Sequence, residues 1–184
     1  QEDFGVFYDF CSLPQKPRTL KEDALFHYQL RGMRMLYAAT TSHVLVLPDI
    51  PASACSDTPY INRGWCYFEF CIAAEHQLIA NSHDIEHLKS DLPARPKDFL
   101  RRFDGKSFTC GGDRPMVFEQ YIEMLLKPAL HNKHCHVLND LEECAGGLHT
   151  DMLARMVKGN DPALVQGACW ALGVLPSGAR HAIE

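Results

Sequence analysis

Apolar and polar positions fall into short blocks along the chain, and each block predicts an element. Residues 4–10 (FGVFYDF) are aromatic and β-branched with little charge, which predicts a buried strand. Pro14 and Pro17 end it in a polar loop over 12–19. From 24 to 39, Leu25, Leu30, Met33, Leu36 and Tyr37 recur at helical spacing, and Thr40, Thr41 and Ser42 break that helix. The run 43–47 (HVLVL), closed by Pro48, predicts a strand buried on both faces. A loop rich in Pro, Ser, Ala and Asp (48–59) leads to a helix over 63–80, with Trp65, Phe68, Ile72 and Ile79 on one stripe. After polar residues 81–96 come a short helix (97–103) and a loop (109–115). Pro115 stands near the first turn of a further helix carrying Met116, Tyr121, Met124 and Leu125 to about Leu126. The run 134–138 (HCHVL) predicts one more strand. Strands alternating with helices predict an α/β domain with a mostly parallel sheet.

The last forty residues or so read differently. A helix ends near Val157, Gly159 to Pro162 makes a turn, and an Ala-rich helix runs to Leu175. Met156, Val157, Leu164, Ala168, Ala171 and Leu172 give the apolar faces. Two units are therefore expected: an α/β domain over 1–147 and a helical hairpin over 148–184.

Composition narrows the function. The chain has 184 residues, 46% of them hydrophobic, and a net charge of 18 − 23 = −5. This excludes disorder over the whole length and a nucleic-acid binder driven by bulk positive charge. No apolar run approaches the ~18 residues of a membrane span. The chain begins at Gln1 and enters its first apolar run within four residues, so no signal peptide is read and a segment of a longer protein is expected. Eight dispersed cysteines among apolar neighbours suit reduced thiols in a cytosolic protein.

The segment 4–74 carries the strongest functional pattern. A strand ends in Asp9-Phe10-Cys11, Leu13-Pro14-Gln15 follows, then a helix, then HVLVL, then Tyr60-x-x-Arg63-Gly64-Trp65-Cys66-x-x-Glu69. This order resembles the TIR (Toll/interleukin-1 receptor) superfamily and, more loosely, fungal heterokaryon-incompatibility domains. The resemblance implies a flavodoxin-like sheet lacking its first strand here, self-association, and cleavage of the nicotinamide–ribose bond of NAD⁺ with no resident cofactor or metal. It implies Glu69 as the catalytic carboxylate and the loop 12–19 as a gate of the nucleotide site. The segment Asp161-Pro162-x-x-x-Gln166-x-Ala168-x-Trp170-Ala171-Leu172-Gly173-x-Leu175 resembles an armadillo repeat, which implies a truncated array and a protein partner.

The residues themselves support part of this. Trp65 and Glu69 are four apart and share a helix face, with Phe68, Ile72 and Ala73 turned to the core. Loss of a cationic nicotinamide leaves an oxocarbenium-like ribose that one carboxylate can stabilise. Trp65 or Phe10 offers a flat surface for a ring. Asp9, Gln15 and Arg18 complete the expected substrate-binding set. The competing role for Glu69 is structural, paired with Arg63 or a backbone donor, in a non-catalytic interaction module.

Three other constellations are weaker. His131, His134, Cys135 and His136 have zinc-type donors but no CxxC pair, and no metal site is expected. Cys11 and Cys66 are the candidate thiol nucleophiles. Cys110-Gly111-Gly112-Asp113 precedes a helix but lacks the phosphate-loop spacing and its Lys.

Overall fold

The first long helix, α1 (Leu20–Ala38), starts where Thr19 and Glu22 make a reciprocal cap. The Thr19 hydroxyl accepts from the Glu22 amide at 3.3 Å, and Glu22 accepts from the Thr19 amide at 2.8 Å. The Thr19 amide and then the Thr19 hydroxyl, both donating to the Glu22 carboxylate, hold that carboxyl below its ordinary pKa. The structure is a computed structural model that describes residues 5–8, 12–132, 137, 140 and 148–174. Helix α1 buries Leu30 and Met33, while Tyr28 and Met35 stand on its exposed side.

A single turn, Tyr60–Asn62, leads into α2 (Gly64–Glu75), the central helix. Tyr67, Phe68, Phe70, Cys71, Ile72 and Ala73 are all buried, so its apolar surface is covered almost all round. It stops five residues before the expected end at 80. Gln77 takes φ 57, and the Gln77 and Leu78 amides donate to Ala74 and Ala73. This is a left-handed helix stop, made here by glutamine and not glycine. A turn at Glu86–Asp91 precedes α3 (Pro96–Asp104), with Pro96 at the helix start. Then α4 (Asp113–Asn132) continues through Pro128, past the expected end at Leu126. The last described helices are α5 (Leu148–Val157) and α6 (Pro162–Val174).

The main core joins α2, α3 and α4 to α5 and α6. Phe99 stacks between Tyr67 (centroids 5.3 Å apart) and Tyr121 (3.4 Å). Leu153, Ala168 and Ala171 of the hairpin are fully buried in the same cluster. The Arg114 guanidinium donates to the carbonyls of Phe103, Asp104 and Lys106, closing the C-terminal end of α3. Arg34 pairs with Glu123 and ties α1 to α4.

The expected flavodoxin-like α/β sheet is overturned: the described residues are helical and contain no β-strand, and so no TIR-like sheet. Two isolated parallel bridges are the nearest approach to one, Val44 with Ile79 and Arg63 with Ser107. The run 43–47 was expected to be buried on both faces. Instead Val46 is buried while Leu45 and Leu47 are 67% and 73% exposed, so only one side meets the core. Its pairing ends after Val44, because the next partner is a side chain: Asn81 accepts from the Val46 amide and donates to the Val46 carbonyl, at 3.0 and 2.7 Å. A side-chain amide satisfies one residue and cannot extend a ladder. Of the expected first strand, residues 5–8 carry no strand, Val6 is 81% exposed, and Phe4, Asp9 and Phe10 lie outside the described residues. In the expected strand 134–138, Val137 is helical and the others lie outside the described residues.

Candidate functional site

The first turn of α2 is built by close backbone approach. The Gly64 amide donates to the Ser107 carbonyl at 2.8 Å, and the Ser107 amide donates to the Asn62 carbonyl at 2.8 Å. The Phe108 ring lies directly over Gly64, where a Cβ would fall 1.9 Å from its Cζ. Only glycine leaves room for the ring there. Segment 107–109 is thereby laid against the start of α2, and a cavity of about 650 Å³ opens beside it.

Trp65, Cys66 and Glu69 of α2 line this cavity, with Arg63 at the helix start. Trp65 and Glu69 are one turn apart and face it together, as their spacing predicts. Gln15 lines it from the loop before α1. Phe26, Leu30 and Met33 of α1 supply an apolar wall, and the hydroxyl residues Ser56, Thr58, Ser107 and Thr109 supply polar ones. Apolar walls with a few convergent polar groups are the usual make-up of a small-molecule site.

The key side chains are fixed by named partners. Trp65 Nε1 donates to Asp113 Oδ2 at 3.1 Å, and its ring sets an edge against Phe68, centroids 6.1 Å apart. Arg63 Nε donates to the Thr58 carbonyl at 2.9 Å, which anchors its guanidinium beside the cavity. Thr58 and Ser56 are themselves linked, hydroxyl to hydroxyl at 3.1 Å. The Tyr60 phenol is raised above its ordinary pKa, first by burial and then by nearby Cys66 and Glu69. It therefore stays protonated beside the helix that carries Glu69.

Arg18 does not line the cavity. Its guanidinium covers the Phe26 ring at 3.7 Å from the centroid and lies 3.3 Å from Asp23, so it backs the apolar wall. Asp9 and Phe10 lie outside the described residues. Of the expected set, the structure brings Glu69, Trp65 and Gln15 together.

The sequence did not mark Asp113 or the hydroxyl residues as site members. Asp113 lies 48 positions from the indole it holds, and no short motif joins them. In the turn 110–113, the Asp113 amide donates to the Cys110 carbonyl at 3.0 Å, and the carboxylate stands at the start of α4. That places negative charge where a phosphate-binding loop would need none. The other thiol considered for chemistry, Cys11, lies outside the described residues, as do His134, Cys135 and His136 of the zinc-type run. The Cys71 thiol, one turn beyond Tyr67, is pushed up to about 12 by burial and is inert at neutral pH.

No helix among the described residues is long and apolar enough to cross a membrane. Comparison of the chain with protein-family models, with characterised proteins and with solved structures finds no match, so neither the TIR-like nor the armadillo-like resemblance gains support.

Proposed function

We propose that the cavity beside α2 is the ligand site of this protein, and that Glu69 acts there on the N-glycosidic bond of a ribosylated heterocycle, with NAD⁺ the leading substrate. The observation that carries the reading is the placement of Trp65 and Glu69, one helical turn apart, on the wall of one cavity of about 650 Å³ with Arg63 beside them. Trp65 offers a flat surface for the ring. The Arg63 guanidinium suits an anionic phosphate portion. The hydroxyls of Ser56 and Thr58 suit a ribose.

The chemistry asks little of the protein. As the C–N bond breaks, its electron pair returns to the nicotinamide nitrogen and the ring leaves neutral. The positive charge passes to the ribose, where the Glu69 carboxylate stabilises it. Water then adds to the ribose carbon and gives up a proton, so NAD⁺ and water yield ADP-ribose, nicotinamide and a proton. No redox partner is needed. A cytosolic setting belongs to the same proposal, since NAD⁺ is an intracellular metabolite and the buried Cys71 is a thiol.

The test is to incubate the full chain with NAD⁺ and follow nicotinamide by chromatography, with binding measured in parallel. Release that is lost in Glu69→Gln supports the proposal. Binding without release makes the protein a nucleotide-binding module, and neither binding nor release removes the proposal.

A further inference from the structure

Three aromatic rings line the cavity among the described residues, and their electrostatic settings differ. Phe26 lies under the Arg18 guanidinium, 3.7 Å from the ring centroid. Phe108 has the Arg114 guanidinium 5.2 Å from its centroid. Each of these rings already meets a cation, which lowers its attraction for another. Trp65 is backed in the opposite sense: its indole N–H donates to the Asp113 carboxylate at 3.1 Å. An anion accepting from an indole N–H polarises the ring and makes its faces more negative, because hydrogen bonds in a poorly screened site reinforce one another's charge shifts. Asp113 stands in the first turn of α4, the end of a helix where a negative side chain is well placed. Glu69, one turn from Trp65, adds a second carboxylate to the same wall.

We propose that the Asp113–Trp65 pair makes this cavity select a cationic flat ring over its neutral counterpart, with Asp113 a specificity-determining residue that acts through Trp65. Arg63 is the opposing charge on the cavity wall, and its Nε is tied to the Thr58 carbonyl at 2.9 Å. The ring end of the ligand therefore meets Trp65 and the carboxylates, while an anionic end meets Arg63. The inference deepens the NAD⁺ reading by assigning the charge of the ring, and it requires no reaction.

The probes are 1-methylnicotinamide, which is cationic, and nicotinamide, which is neutral and nearly the same shape. Titration calorimetry on the full chain is expected to show the cation bound about tenfold more tightly, the scale of a partly desolvated cation–π contact. In Asp113→Asn an amide oxygen still accepts from the indole but the charge is gone. The preference is expected to fall at least threefold, with the affinity for neutral nicotinamide changed by less than twofold. Trp65→Phe keeps a ring and removes the N–H, so it cuts the link without touching α4, and the preference is expected to fall likewise. Equal binding of the two probes to the wild type, no binding of either, or a preference that survives both substitutions overturns the inference. A clear cation preference with no nicotinamide release from NAD⁺ removes the hydrolysis reading alone. Release without any preference removes this inference alone.

Discussion

Gly167 sets helix propensity against packing, and the two predict opposite signs for one substitution. It lies inside α6, where alanine is ordinarily the better residue by about 1 kcal/mol. Propensity alone therefore predicts that Gly167→Ala stabilises the protein. The packing says otherwise. A Cβ at 167 would lie 2.7 Å from the Leu130 carbonyl oxygen and 2.9 Å from both its carbonyl carbon and its Cβ. Two of those atoms are backbone of α4 and cannot swing aside, so the helices must part by several tenths of an ångström. That movement loosens Leu153, Ala168 and Ala171, all fully buried where the hairpin meets α4. Overpacking of this kind costs about 1–3 kcal/mol, and a severe contact with a backbone oxygen belongs toward the upper end. Subtracting the propensity gain leaves a net loss of about 1–2 kcal/mol. For a chain of this size the melting temperature should fall by about 2–4 °C per kcal/mol. Urea denaturation followed by circular dichroism measures it, and an alanine variant as stable as wild type would refute the claim that α6 sits this close to α4.

Two further substitutions test the core. Asn81→Ala removes both bonds to the buried Val46 backbone and leaves its amide and carbonyl without those partners, so urea unfolding should show a loss of about 2 kcal/mol; a loss below 0.5 would mean the pairing contributes little. Lys106 is buried over the Tyr67 ring, 4.2 Å from its centroid, and burial lowers its pKa. A lowered lysine pKa means the folded state binds the proton less readily than the unfolded chain. Its contribution is thus most favourable above the unfolded value, about 10.4, and is lost as pH falls through the folded one. Lys106→Met should therefore gain stability over wild type at pH 7, with the gap narrowing as pH rises toward 10; a gap that widens with pH contradicts the sign.

Much of the helical frame was legible because burial there follows a 3.6-residue period. Leu30 and Met33 of α1, Phe68 and Ile72 of α2, and Tyr121 of α4 stand on apolar faces by spacing and are buried, whereas Leu25 and Leu36, on the same α1 spacing, are 45% and 41% exposed. The sheet was misread because a five-residue apolar run looks the same whether both its faces are covered or one. HVLVL has Val46 inside and Leu45 and Leu47 outside, and nothing local distinguishes them. The end of α2 was illegible for a different reason. Its left-handed stop is Gln77, a residue with no turn signature, and the chain reverses there because Leu78 and Ala80 find bonds to Val44. At the site, the Trp65–Glu69 spacing was enough to put both on one wall. Asp113, Ser107 and Phe108 reach that wall only through tertiary packing, which local pattern does not encode.

Under the proposal made above, Glu69 works on a glycosidic bond in the cavity beside Trp65. The most direct measurement is the rate of nicotinamide release from NAD⁺ by the full chain, wild type and Glu69→Gln side by side, with NAD⁺ binding measured on both. Release by wild type is expected, with a fall of about a hundredfold or more in the variant, as for loss of one electrostatic stabiliser, and NAD⁺ affinity in the variant within severalfold of wild type. No release by the wild type, or equal release by the two proteins, contradicts it.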